Sequence, residues 1–274
     1  MKKLLQIEWM KIKGYTAFIL LTSFYALGVL ATNYIVFAFK KNVLDKVQGT
    51  QILFGGSPFA FDMVWQTVSY YSSFFLMLPA LLIVILITNE FTFRTHRQNV
   101  IDGWSRWDFL KVKMGLAVIL AIASTLVVII IALLFGFLSG SSFSVNGIDN
   151  LGYFFLKALS YNMVGILVAL ICKRSGVAIA VFFIYTILEN GISMLLFFLS
   201  IKLKKENDID LGNLGNYLPM NSSDGLLTSP LDKFTGIAKH FLPTDYNWVV
   251  FGFAFAYLVL FFWWSRRKML HDDL

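Results

Sequence analysis

Three consecutive stretches decide the fold: "SYYSSFFLMLPALLIVILI" at 69–87, "NEFTFRTHRQNVIDGWSRWDFLKVK" at 89–113 and "MGLAVILAIASTLVVIIIALLFGFL" at 114–138. Each outer stretch has the length of a membrane-crossing helix, which needs about 20 mostly apolar residues. The middle stretch is polar and carries five Lys or Arg. Joining two antiparallel helices takes only a few residues, so closing the turn does not explain 25 of them.

The same alternation runs outward along the chain. Apolar runs at 15–39, 69–88, 114–138, 151–172, 176–201 and 246–264 predict six spans. Composition agrees: 58% of residues are hydrophobic, 14% are charged and the mean hydropathy is +0.71, whereas a soluble domain averages roughly 45–50% apolar and about 25% charged. The first run is too long for a signal-peptide core and has no small-residue cleavage site, so it reads as a retained helix. A single cysteine, Cys172, excludes a disulfide within the chain. The expected fold is an all-α integral membrane protein, one transmembrane domain over 1–274.

Six spans put both termini on one side. The loops on that side are the N-terminus, 89–113, 172–175 and the tail, with 14 Lys or Arg; the other side, 40–68, 139–150 and 202–245, holds 8 over more residues. The positive-inside rule assigns the first set, both termini included, to the cytoplasm. It also accounts for the net charge of +7 without a nucleic-acid partner. The opening "MKKLLQIEWMKIK" at 1–13 reads as an interfacial helix, with Leu5, Trp9 and Ile12 on one apolar face and lysines reaching anionic headgroups.

The 89–113 stretch has helix punctuation of its own. Gly103 is a natural stop, and Ser105 with Asp108 fits a capping box. The spacing predicts one helix over 95–102, a break at Gly103, and a second helix from Ser105 into the third span. Arg94, Arg97 and Arg106 with Trp104 and Trp107 suit a protein contact; ordinary positive-inside charge with interfacial tryptophans accounts for them equally well.

This stretch resembles the segment after the second span in ABC type-2 transporter permeases. The matching positions are Glu90, Thr95, Arg97, Gln98, Gly103, Ser105, Arg106 and Lys111 or Lys113. "IEWMKIKGYTAF", with Glu8, Trp9 and Lys11, is similar to the family's N-terminal interfacial helix. The resemblance implies that 89–113 is a coupling helix docked on a separate ABC ATPase subunit. It further implies a second permease subunit, either the same chain or a close paralogue, and an exporter in the bacterial cytoplasmic membrane. Glu90, Arg94, Thr95, Arg97, Gln98, Gly103, Ser105 and Arg106 would then be the ATPase-coupling residues. No Gly-Lys dipeptide occurs, so the chain has no phosphate loop. ATP and Mg belong to the partner, and this chain is expected to hold no cofactor and to be no enzyme.

Four residues stand out among the polar groups inside predicted spans: Lys157, Asn162, Glu189 and Asn190. A carboxylate there costs roughly 2.5–3.5 kcal/mol and calls for a partner, a proton or water. Counted from the 172–175 turn, Lys157 and Glu189 differ in depth by only about 3 Å. One expectation is a Lys157–Glu189 pair across the fourth and fifth spans. The others are that Lys157 reaches the outer headgroups, that Glu189 is protonated or bonded to Asn190 or Asn162, or that Glu189 faces a translocation pathway or subunit interface. Pro79 predicts a kink in the second span. The 202–245 loop is expected outside, with "LTSPLDKFTGIAKHFLP" at 227–243 as a surface cap. Two other functions remain open: a proton-coupled carrier using Glu189, and a membrane anchor for a cytosolic partner. Nothing resembles a metal-binding or nucleophile motif.

Overall fold

A computed structural model describes residues 2–42, 59–101, 103–230, 243–244 and 246–271. The elements are α1 (Lys2–Ile12), α2 (Thr16–Asn42), α3 (Phe61–Ser73), a 3-10 turn (Phe74–Leu76), α4 (Met77–Thr92), α5 (Thr95–Ile101), α6 (Arg106–Leu138), α7 (Asp149–Cys172), α8 (Ser175–Asn207), a second 3-10 turn (Leu214–Tyr217), α9 (Asn221–Asp224) and α10 (Asn247–His271). No strand occurs among the described residues. Six helical stretches are long and apolar enough to cross a membrane: Thr16–Phe39, Phe61–Thr92, Arg106–Leu138, Asp149–Cys172, Ser175–Glu206 and Asn247–His271.

Three spans are longer than expected. The second starts at Phe61, because "FDMVWQTV" continues the helix with Gln66, Thr67 and Ser69 buried. The fifth runs on past 201 and the sixth past 264, while the third continues unbroken from the helix expected at Ser105. The second span is interrupted by Phe74–Leu76, immediately before Pro79. Proline has no N–H to donate and its ring crowds the carbonyl four residues back, so regular α-helix gives way just ahead of it.

α7 is the hub. Its most apolar window is 78% buried, against 17% for α2 and α8, and it packs on α4, α6 and α10. Gly165 allows α7 to approach α4, since a Cβ there would meet the Ala80 carbonyl oxygen at 3.0 Å. α7 ends at Lys173 in the left-handed conformation (φ 56°), and Arg174 is extended before α8 starts.

The segment after α8 turns back into the bundle. Asp208 ends α8 in the left-handed conformation, and the chain then folds back along it. Met220 and Asn221 bond the Glu189 side chain, 18 residues before the end of α8, which is a descent of about 27 Å. Met220, Asn221, Ser222, Ser223, Leu226 and Leu227 are buried. Most of the expected surface cap, 231–242, lies outside the described residues. Among the described side chains of α1, Glu8 and Ile12 are buried and Trp9 is exposed.

Candidate functional site

Four charges meet where α1, α4 and α6 end together. Lys113, 1% exposed, forms ion pairs with Glu8 of α1 and with Glu90 of α4, the latter at 2.8 Å. Lys11, one turn on from Glu8, lies 3.9 Å from Glu8 and 3.5 Å from Glu90. The set is neutral: two carboxylates and two amines. Burying ions without partners costs several kcal/mol each, so the buried Lys113, Glu8 and Glu90 require one another. The helices supply the register. Lys111 and Lys113 leave α6 in different directions. Lys111 faces outward over the Trp107 ring at 5.2 Å, with Asp108 at 3.4 Å, and Lys113 faces inward.

α5 is fastened to the same point. Its His96 Nδ1–H donates to the Glu90 carbonyl at 3.0 Å, and Thr95 Oγ1 donates to that oxygen at 3.5 Å. The His96 ring lies 4.7 Å from Phe91. Arg94 separates α4 from α5 in the left-handed conformation (φ 57°), which is uncommon for a non-glycine residue. α5 ends at Ile101, Gly103 follows at φ 94°, and Ser105 caps α6 by accepting from the Asp108 amide at 3.0 Å. Phe93, just before α5, and Ile101, its last residue, are 73% and 77% exposed. Arg106 donates to the Leu270 carbonyl at 3.4 Å, and Trp107 stacks edge-on to Phe262. Residues near both termini thus sit at the α5 end of the bundle. Gln98 is exposed; Arg97 falls within α5, but its side chain lies outside the described residues.

The polar residues of the spans form a second cluster, with partners other than those expected. Lys157 pairs with Asp224 at 3.2 Å and donates to Ser73 Oγ at 3.0 Å. Tyr161 donates to the other Asp224 oxygen at 3.1 Å. Glu189 Oε1 accepts from the Met220 and Asn221 amides at 2.5 and 2.8 Å and from Asn221 Nδ2 at 3.3 Å. There is no Lys157–Glu189 pair. Both groups hold the folded-back segment, Lys157 through the last residue of α9 and Glu189 as a carboxylate cap at its first turn, where free N–H groups attract negative charge. Asn162 donates to the Ala117 carbonyl and Asn190 to the Thr186 carbonyl; neither touches Glu189, and Asn190 is exposed.

Sequence reasoning missed Glu8, Lys11 and Lys113 as one unit, and it missed Asp224. The available signal was Glu8, the single carboxylate of the basic 1–13 stretch. Among the described residues no three His, Cys, Asp or Glu side chains gather as a metal site. No family model matches the chain, and no curated protein matches it.

Proposed function

We propose that the chain is the permease subunit of an ATP-driven exporter of the ABC type-2 kind. Two such subunits, or one and a close paralogue, would stand over two separate ATPase subunits. α5 is the coupling helix, α1 lies at the inner surface of the bacterial cytoplasmic membrane, and both termini are cytoplasmic, as the loop charges require.

The observation that carries the reading is the Lys113 cluster. A short exposed helix is tied through His96 and Thr95 to Glu90, and through Glu90 to Lys113 and Glu8. A push on α5 therefore reaches α1, α4 and α6 together through short, buried, charged contacts. A passive loop has no need of such a joint. An anchor would not need one either, since holding a partner requires no transmission into the spans. Against a proton carrier stands the use made of Glu189: one of its oxygens is already occupied by two backbone amides.

The test is purification from the native membrane, comparing wild type with Phe93→Asp plus Ile101→Asp and with Arg97→Glu plus Arg106→Glu. Wild type should bring down a subunit carrying a phosphate-loop motif and ATP turnover, and both variants should lose it while remaining folded. Wild type that purifies without an ATPase, or flux driven by a proton gradient alone, overturns the proposal.

A further inference from the structure

A narrow apolar slot lies between α2, α4 and α6. Its volume is about 120 Å³, with Leu21 and Ala26 on one wall, Pro79 and Leu82 on the second, and Leu120 and Ala123 on the third. Its depth is given by two helices independently. Pro79 is 11 residues from Glu90 along α4 and Ser124 is 11 residues from Lys113 along α6, so each count puts the slot about 16 Å above the charge cluster. That is near the middle of a hydrocarbon layer about 30 Å thick.

The lining disfavours water. Tyr25 donates its hydroxyl to the Ser124 carbonyl at 3.2 Å, and Thr22 donates to the Phe18 carbonyl at 2.6 Å. A buried water needs about two to four polar partners, and an apolar cavity of about 150 Å³ stays dry and takes up benzene. The slot is also open on one side. α2 is 17% buried in its most apolar window, and Ala26 and Ala123 are exposed at the rim.

We propose that the slot binds a single hydrocarbon chain of a bilayer lipid. Between helices in a membrane the cohesive force is van der Waals contact, because lipid tails are as apolar as leucine. An empty groove forfeits those contacts, and the nearest matter able to supply them is an acyl chain. Bound there, the chain rests on Pro79, just past the interruption in the second span, and wedges α2 against α4 and α6. This inference depends on the six spans and not on the ATPase reading.

The experiment uses the full chain in nanodiscs containing a phosphatidylglycerol with a diazirine at mid-chain. After irradiation, adducts are mapped by peptide mass spectrometry in wild type, Ala123→Phe and Ala26→Phe. Both substitutions fill the slot from exposed rim positions, so folding is retained. In wild type, adducts should concentrate on 120–127 and 78–82, and they should fall at least about fivefold in each variant. Labelling of the exposed faces of α8 and α10 should not change. Adducts no denser in the slot than on those faces, or insensitive to both substitutions, overturn the proposal. So does cross-linking that shows a second copy of the chain seated in the slot.

Discussion

Replacing Lys113 by methionine removes one amine from a neutral set of four charges and leaves Glu8 and Glu90 facing each other. Their side chains are 4% and 11% exposed, so water does little to relieve them. Lys11 is the remaining counter-charge, at 3.5 and 3.9 Å, and its own side chain is 37% exposed. Breaking a buried pair by removing one partner costs about 3–5 kcal/mol, which corresponds to an apparent Tm lower by on the order of 10 °C. The double variant Lys113→Met plus Glu90→Gln restores neutrality and keeps the Lys11–Glu8 pair, so it should recover at least half of the loss. Lys111→Met, two residues away on the exposed side, should change little. The assay is thermal unfolding in nanodiscs followed by intrinsic fluorescence. A Lys113→Met protein that melts within a degree or two of wild type refutes the argument, as does a double variant no more stable than the single.

Gly165→Val should destabilise by about 1–3 kcal/mol, because its Cβ meets a backbone oxygen at 3.0 Å; a comparison of Tm with Gly152→Val, where a Cβ meets nothing within 4 Å, checks this. Glu189→Gln should loosen the folded-back segment, since the amide group is a weaker acceptor for the Met220 and Asn221 N–H groups and brings a donor of its own into a buried site. Hydrogen exchange at 214–227 should rise at least tenfold while α7 stays protected. Asp210 is held well below the usual carboxylate range by its hydrogen bond with Lys204 at 2.9 Å and then by Thr244. A depressed folded pKa stabilises fully above the unfolded value, about 3.9, and the gain disappears only as pH falls through the lower folded value. Protease resistance of the 208–230 segment should therefore be unchanged from pH 7 to pH 5 in wild type and reduced across that range in Asp210→Asn.

Local features were readable and relationships between distant elements were not. Gly103, Ser105 and Asp108 were read from sequence because a stop and a cap involve residues three apart. The six spans were readable because apolar length is itself the signal. The start of the second span was misread, since Gln66 and Thr67 look like loop residues until helices on several sides enclose them. Lys157 and Glu189 were matched in depth by counting residues, yet depth carries no information about helix rotation. Their partners come from 220–224, a stretch whose inward path depends on the whole bundle. Glu8, Glu90 and Lys113 belong to three elements, and no spacing within one element announces their meeting.

The Lys113 cluster also dictates an order of assembly. Glu8 and Lys113 are 105 residues apart in the chain, and Glu90 and Lys113 are 23 apart. At a synthesis rate of about 5–20 residues per second, Glu8 precedes its amine by roughly 5–20 s and Glu90 by roughly 1–5 s. Throughout that interval α1 has no reason to leave water, because burying its carboxylate early would leave a charge unmatched. α1 is thus held back until the third span is made, and its docking reports that this span has arrived in register.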